Sequence, residues 1–410
     1  MLSYLFNINI LGQNLRKTAN LLNKIIALVI ITIAIQSCEN NPNDLGLEFI
    51  VSDTLNTKLL DSNTDSMQIS YNNFKKYSNT FPSPYLLVGS YLKNGATYSS
   101  QAFIRTLGVS NSYAGATVIS ARIKINYASY DFEDSTGTVG FNIYSLNNQY
   151  NFTTITKDSI SASSIGTTVL GSYNGTVTDT NSIYIPFDNT TAKNWLEYAA
   201  DTSYAQKNYG VALVPNASSN TIKGFGGYFN SSSNLIPQMI IVVSKNSVTD
   251  TLKYPFETVS FPDVQNPYNP ADRIVIQNGI SLNSIINFNL DKLPPRVIIN
   301  DAYLRLKIDA SNTSSNSQLS KVMSFAMMTD TSLKTNDGAN YLSTLEDSLT
   351  VSIHLTPIFQ KWNYGTATNY GVLIRNIYNV INLDRFVFYG YGVSDTTLRP
   401  RLLIRYTPRG

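Results

Sequence analysis

Apolar and polar residues alternate with a period of two in several short segments of the chain. The segments 121–127 and 302–308 each place apolar residues at every second position, with polar or charged residues between them. Such alternation is typical of a β-strand with one buried face and one solvated face. Because a single-faced sheet is usually covered by a second sheet, the sequence predicts an all-β protein built from β-sandwiches.

Two segments have helical spacing instead. Residues 192–199 place apolar side chains at positions i, i+3, i+4 and i+7, behind Asp188 or Asn189 as the capping residue. Residues 358–362 form a similar apolar stripe, with Thr356 as the expected cap. We therefore expect one short helix in each half of the chain.

The chain contains an internal duplication. Five segments of the first half recur in the same order in the second half, and the starts at 53–55 and 250–252 also agree. The matching pairs are 103–105 with 286–288, 119–125 with 300–306, 208–213 with 369–374, 222–228 with 386–392, and 237–243 with 400–406. The sequence thus predicts two tandem, related β-sandwich domains, 48–245 and 246–410.

The two tryptophans of the chain, Trp195 and Trp362, occupy equivalent places in the duplication. Each lies in a predicted helix ahead of an Asn-Tyr-Gly motif. One interpretation is that each plugs the end of a sandwich core. The other is that they face a bound ligand, so both are candidate ligand-facing aromatics.

The N-terminal segment has the pattern of a bacterial lipoprotein signal. Residues 1–24 carry only positive charges, and the apolar run at 25–35 is shorter than the ~20 residues that a spanning helix needs. The following residues, Ile35-Gln36-Ser37-Cys38, resemble the lipobox. We predict a signal peptide at 1–37 and acylation of Cys38, against the alternative of a cysteine buried in an ordinary helix. Several acyl chains hold a protein on a membrane without a spanning helix.

Removal of this signal peptide changes the charge balance. It takes away three basic residues and leaves 27 basic against 27 acidic ones, so the mature chain is formally neutral. Neutrality argues against nucleic acid as a partner, because phosphate binding needs a basic face. The polar residues that follow Cys38 predict a tether over 38–47. With a single cysteine, no disulfide forms within the chain.

Residues suited to catalysis or metal binding are few. His354 is the single histidine, and strand pairing explains its position better than a zinc site or a Ser-His-Asp triad. The acids at 131–134 and 346–347 are expected in solvated loops, where a carboxylate pair or Ca²⁺ ligands stay open as alternatives. We predict a non-enzymatic protein with no catalytic residue, no cofactor and no metal site.

The order of these segments resembles that of the disaggregatase-related (DNRLRE) carbohydrate-binding modules. That resemblance implies jelly-roll-like sandwiches and sugar binding. The lipobox followed by residues 43–47 is also similar to an outer-membrane lipoprotein family of Bacteroidota-type bacteria that carries a domain of unknown function. This likeness implies an outer-membrane location, on the periplasmic or the cell-surface face.

Two functions follow from these observations. The first is a non-catalytic interaction subunit of an outer-membrane or cell-surface complex, anchored through the lipid on Cys38, with an envelope protein as partner. The alternative is a carbohydrate-binding surface lipoprotein that recognises a polysaccharide, since Tyr-rich and Asn-rich faces suit sugar stacking and hydrogen bonding. A glycosidase with a loop-borne carboxylate pair is a third, less favoured reading.

Overall fold

The strands follow the period-two segments of the sequence. The computed structural model describes residues 57–65, 67–93, 95–177, 182–315, 321–332 and 335–408, so the predicted signal peptide, Cys38 and the tether lie outside the described residues. The strands are β1 (Lys58–Asp61), β2 (Ile69–Lys75), β3 (Tyr85–Lys93), β4 (Ala96–Thr106), β5 (Thr117–Phe132), β6 (Thr138–Leu146), β7 (Ile165–Thr176), β8 (Ser182–Phe187), β9 (Val211–Pro215), β10 (Ile222–Gly226), β11 (Gln238–Lys245), β12 (Val248–Gln265), β13 (Arg273–Gln277), β14 (Leu282–Phe288), β15 (Ile298–Lys307), β16 (Met323–Met327), β17 (Tyr341–Leu342), β18 (Thr344–Asp347), β19 (Thr350–His354), β20 (Val372–Asn376), β21 (Arg385–Tyr389) and β22 (Arg401–Thr407). The two α-helices among these residues are α1 (Asn189–Ala200) and α2 (Thr356–Tyr364). The chain is all-β, as the alternation predicts.

The first set of strands forms a β-sandwich that we call sandwich 1. One layer contains β8, the first part of β5, β11 and the first part of β12. The other contains β10, β3, β4, β9, β6 and β7, with the second part of β12 along β4. The alternating apolar residues of both layers meet in one core, which α1 closes through Ala192, Trp195 and Leu196.

The second set forms sandwich 2. One layer has the strand order β1-β22-β15-β19-β18, and the other has the order β17-β16-β20-β14-β13-β21, with β2 beside β14. Their inward-facing side chains share one core, and α2 contributes Ile358, Phe359 and Trp362 to it. The predicted helix in each half is therefore present, and each helix caps a sandwich core.

The first strands of the two repeats are exchanged between the sandwiches. β1 and β2 come from the first half of the sequence, yet they pair with β22 and β14 of sandwich 2. Conversely, β12 follows residue 246, yet it pairs with β11 and then β4 of sandwich 1. The sheets thus do not follow the repeat boundaries 48–245 and 246–410. The two repeats follow one another along the sequence, but the first strands of each repeat pair with strands of the other repeat.

The two sandwiches also share a buried contact. A cluster of buried side chains draws on both, including Leu87 and Phe132 from sandwich 1 and Val275 and Leu383 from sandwich 2. Beside it, the Tyr130 hydroxyl donates to Asp384 Oδ1 at 3.1 Å, and burial raises the pKa of Tyr130 well above its usual value. Residues 57–410 accordingly form one compact unit.

Two details of the sequence analysis are wrong by one residue. Strand pairing places Ile104 opposite Val211 and Ile286 opposite Val372, so 103–105 corresponds to 285–287. Short apolar triplets can be aligned in either register, which explains the one-residue error in the alignment of the repeats.

At α1 the expected cap Asp188 accepts from the Thr191 amide at 2.6 Å. At α2 the capping residue is Leu355, because the Thr356 hydroxyl instead accepts from the Ala302 amide.

Candidate ligand-binding pocket

Both tryptophans lie in the cores that their helices close. Trp195 is 3% exposed and its ring packs 5.3 Å from that of Phe187, measured between centroids. Trp362 is 8% exposed and packs on Phe288 and Phe359, with centroids 6.1 and 5.2 Å away. This burial supports the interpretation that each tryptophan plugs the end of a sandwich core. Trp362 also lines a cavity.

A cavity of about 630 Å³ opens beside Trp362 at the end of sandwich 2. We call it the Trp362 pocket. Besides Trp362, its apolar wall consists of Phe288, Leu290, Leu293 and Pro295. Its neutral polar wall consists of Gln68, Ser70, Asn287, Asn289, Asn363 and Asn369. Small-molecule sites typically have volumes of roughly 300–1,000 Å³, an apolar lining and a few placed polar groups, and this pocket fits that description.

Four separate parts of the chain bring these residues together. The exchanged strand β2 supplies Ser70, and the residue before β2 supplies Gln68. The end of β14 and the loop after it supply residues 287–295. The last turn of α2 supplies Trp362 and Asn363, and Asn369 precedes β20. The pocket is therefore complete only when the N-terminal segment is seated in sandwich 2.

Local hydrogen bonds fix several of the amides. The Asn369 side chain donates to the Phe288 carbonyl at 2.9 Å and accepts from the Gly371 amide at 3.2 Å. The Asn363 side chain donates to the Pro294 carbonyl at 2.7 Å. Gly371 has a φ of +89°, and a Cβ there would lie 2.5 Å from Asn287 Oδ1. Glycine is needed at this position because the Asn287 amide packs directly against the backbone.

Two buried polar atoms at the pocket have no hydrogen-bond partner among the described residues. They are the indole nitrogen Nε1 of Trp362, which is a donor, and Oδ1 of Asn363, which is an acceptor. A buried tryptophan N–H usually finds a partner, and an unpaired buried polar group costs about 1–3 kcal/mol. Each atom has less than 1 Å² of accessible surface, so a ligand that both accepts and donates hydrogen bonds would meet both needs once a small side-chain movement exposes them.

The lining of the Trp362 pocket carries little charge. Asp291 is the single carboxylate among the lining residues, whereas glycoside hydrolysis uses a pair. Of the acids expected in solvated loops, Asp131 lies on β5 and pairs with the buried Lys223 at 2.6 Å, and Glu133 pairs with Lys93. Neutral amides beside aromatic and aliphatic walls fit an uncharged ligand with many hydroxyl groups.

The corresponding place in sandwich 1 is filled by charged side chains. Since Ile104 corresponds to Ile286, Arg105 stands where sandwich 2 has Asn287, and its strand partner Glu257 stands where sandwich 2 has Ser70. Arg105 and Glu257 form an ion pair, and the Arg105 guanidinium lies 4.8 Å from the ring centroid of Phe152. Of the two predicted ligand-facing tryptophans, only Trp362 therefore lines a described pocket.

Comparison with known proteins adds no relative. No protein-family model, curated protein or solved structure matches the chain. Within the part of the chain that the structure describes, no helix is long and apolar enough to cross a membrane, and no group of three or more His, Cys, Asp or Glu side chains could hold a metal ion.

Sequence reasoning identified Trp362 but not the amides around it. The amides of the pocket are far apart in the sequence and form no motif that would indicate a shared site, as with Gln68, Asn287 and Asn363. Asn369 was part of the duplicated Asn-Tyr-Gly motif, which favoured a structural role. The signal that could have found the site was the difference between the repeats, since Arg105 and Asn287 occupy equivalent positions.

A second surface feature is an exposed aromatic ring, Phe229, packed against two partly buried ones. The Phe229 ring lies 5.0 Å from that of Phe81 and 5.2 Å from that of Tyr228, between centroids, and Phe229 is 49% exposed. We call this group the aromatic patch. Aromatic residues are enriched at protein interfaces.

Proposed function

We propose that this chain is a membrane-anchored, non-catalytic carbohydrate-binding lipoprotein, with its sugar site in the Trp362 pocket. The observation that carries the proposal is the lining, in which six neutral polar side chains face an aromatic and aliphatic wall. The anchor is the lipid proposed on Cys38, and the outer membrane is its proposed location.

Each part of the lining has a role in this proposal. The amides of Asn287, Asn289 and Gln68 each offer donors and an acceptor to sugar hydroxyls. The unpaired Trp362 Nε1 donates to a ligand oxygen, and the unpaired Asn363 Oδ1 accepts from a hydroxyl. The rings of Phe288 and Trp362 contact the apolar C–H edges of the sugar. No step of bond cleavage is part of the function.

The test compares two tryptophan variants in the whole mature protein. Trp362→Phe keeps an aromatic ring but removes the indole donor, and Trp195→Phe makes the same change at the equivalent helix of sandwich 1. One neutral hydrogen bond contributes about 0.5–1.5 kcal/mol, so Trp362→Phe should weaken binding up to about tenfold. Affinities are measured by calorimetry on polysaccharides selected from a glycan array.

Trp195→Phe should leave the affinity unchanged, because Trp195 lines no described pocket and packs against Phe187. Thermal melting of both variants shows whether either loses its fold. Equal losses of affinity in the two folded variants, or the absence of any glycan ligand on the array, would exclude this site.

The aromatic patch supports a second candidate function, an interaction subunit of an envelope complex. Phe229 would then be covered by a protein partner in the intact membrane. Crosslinking of a tagged chain in membranes, followed by mass spectrometry, should recover one envelope protein in constant ratio. The Phe229→Ser variant should lose that partner and keep glycan binding, which separates the two functions.

A further inference from the structure

A separate cavity of about 300 Å³ lies in sandwich 2, on the outer face of the sheet that contains β15 and β22. Four of its lining residues are cationic, and we call it the basic groove. These residues are Arg305, Lys307, Arg399 and Arg401. The carboxylate of Glu346 and the neutral side chains of Asn63, Thr350 and Thr397 also line it.

The cations are set close together by strand register. Arg305 on β15 pairs directly with Arg401 on β22. Lys307 follows Arg305 by two residues on β15, so the period of two places both on the same face. Arg399 lies two residues before Arg401, ahead of β22, and lines the same groove. Like charges directly opposite each other on neighbouring strands are destabilising. An anion bound between them would relieve that repulsion.

Carboxylates already pair with three of these cations, and one of them, Glu346, itself lines the groove. Asp61 contacts Arg401 at 2.5 Å, and Glu346 contacts Arg305 at 2.7 Å. Asp347 lies 3.8 Å from Lys307. Arg399 is left as the groove cation without an ion pair among the described residues.

Arg399 is the cation without a carboxylate partner among the described residues. Its Nε donates to the Val393 carbonyl at 2.9 Å, and its guanidinium lies 5.1 Å from the Tyr391 ring centroid. These contacts hold the side chain in place without neutralising its charge. A planar guanidinium is well suited to binding a phosphate through two parallel hydrogen bonds.

The duplication provides an internal comparison. In sandwich 1, Lys124 pairs with Gln238 at the place where sandwich 2 pairs Arg305 with Arg401. Asn126 stands in place of Lys307, and Ile236 precedes Pro237 as Arg399 precedes Pro400. Sandwich 1 therefore has one cation where sandwich 2 has four, so the cluster is not a requirement of the shared fold.

The basic groove also lies beside the strand nearest the proposed anchor. Asp61 ends β1 and Asn63 follows it, and Asp61 is 23 residues after Cys38 in the sequence. An extended chain spans at most about 3.5 Å per residue, so the groove stays within ~80 Å of a membrane that holds Cys38. This length of chain permits the groove to contact lipid headgroups.

We infer that the basic groove binds a phosphate group, supplied by an anionic lipid of the membrane that carries the anchor. The phosphate site stands on the four cations alone and is independent of the sugar site. Its assignment to a lipid rests on the proposed acylation of Cys38. A free phosphate or phosphorylated solute shares the same chemistry and is distinguished by experiment.

The experiment uses the mature chain from residue 38 with Cys38→Ser, so that no acyl chain contributes to binding. The first probe is inorganic phosphate, followed by calorimetry. The second probe is vesicles of phosphatidylcholine with or without phosphatidylglycerol, followed by sedimentation. The test variant, Lys307→Gln with Arg399→Gln, keeps the Arg305 and Arg401 ion pairs. The control, Arg122→Gln with Lys124→Gln, removes the same charge from the equivalent face of sandwich 1.

Each cation near an anionic surface contributes about a fivefold change in affinity. The test variant should therefore bind phosphatidylglycerol vesicles about 25-fold more weakly, and the control should change by less than about twofold. Glu346→Gln removes the carboxylate that lines the groove and should strengthen binding about fivefold, which a loss of folding could not produce.

The pattern of results identifies the source of the phosphate. Groove-dependent binding to phosphatidylglycerol vesicles supports the lipid. Groove-dependent binding of inorganic phosphate without a preference for these vesicles overturns the lipid assignment and makes a free phosphate compound the ligand. No binding of either probe, or equal weakening in the test and control variants, overturns the phosphate site itself.

Discussion

The exchange of first strands predicts where a core mutation does its damage. Phe256 belongs by sequence to the second repeat, but it is fully buried in the core of sandwich 1. It lies on β12 opposite Thr106 of β4. Truncation of a buried phenylalanine to alanine costs about 3–5 kcal/mol. Phe256→Ala should therefore weaken sandwich 1 by about that amount.

Ile69 is the matched position in the other sandwich. It belongs by sequence to the first repeat, but it is 3% exposed in the core of sandwich 2, on β2 opposite Phe288. Ile69→Ala removes a smaller side chain, and truncations of this kind cost about 2–5 kcal/mol. The two variants therefore damage cores on opposite sides of the repeat boundary.

Hydrogen exchange with mass spectrometry distinguishes the two effects, because it reports local opening segment by segment. In Phe256→Ala, protection should fall first in β4 and β11. In Ile69→Ala, it should fall first in β14 and β20. The opposite assignment, with Phe256→Ala opening β14 and sparing β4, would mean that the sandwiches follow the repeat boundaries and that the strands are not exchanged.

Two further predictions concern single positions. The hydrogen bond from Arg401 holds the pKa of Asp61 below its usual value, so this carboxylate stabilises the fold above pH ~4 and loses that contribution as the pH falls further. Asp61→Asn should therefore lower the free energy of unfolding by about 1 kcal/mol at neutral pH, since Arg401 is partly solvated. In denaturant titrations the difference from the wild type should shrink steadily as the pH falls below ~4, and an undiminished difference at the lowest pH would contradict this. Gly371→Ala should cost more stability than Gly365→Ala, because both glycines have positive φ but only at Gly371 would the new Cβ meet neighbouring atoms; equal melting temperatures for the two variants would contradict the close packing of Asn287.

The local features of the fold could be predicted from the sequence because they depend on neighbouring residues. Alternation at 121–127 and 302–308 identified β5 and β15, and helical spacing identified α1 and α2. The exchange of first strands between the two sandwiches could not be predicted from such local patterns. The apolar pattern of β12 would be the same beside either sandwich, since alternation specifies a buried face but not the strand that pairs with it.

The candidate site could be predicted only in part, for a related reason. Trp362 was singled out because it is rare and duplicated, and the structure places it in a pocket wall. Asn287, Asn289 and Asn363 are residues that also favour turns, so their types alone do not indicate binding. Their convergence depends on long-range packing. Cys38 lies outside the described residues, and its acylation stays a prediction.

The exchanged strands also constrain the order in which the chain can mature. β1 is synthesised before any other strand described here, yet its partner β22 is the last of them. The strands of sandwich 1 are complete once β12 has been made, and β14 follows soon after as the partner of β2. β1 must wait unpaired while the residues between Gln265 and Arg401 are made. A nascent chain that stops before Thr407 therefore leaves β1 without its complete partner strand.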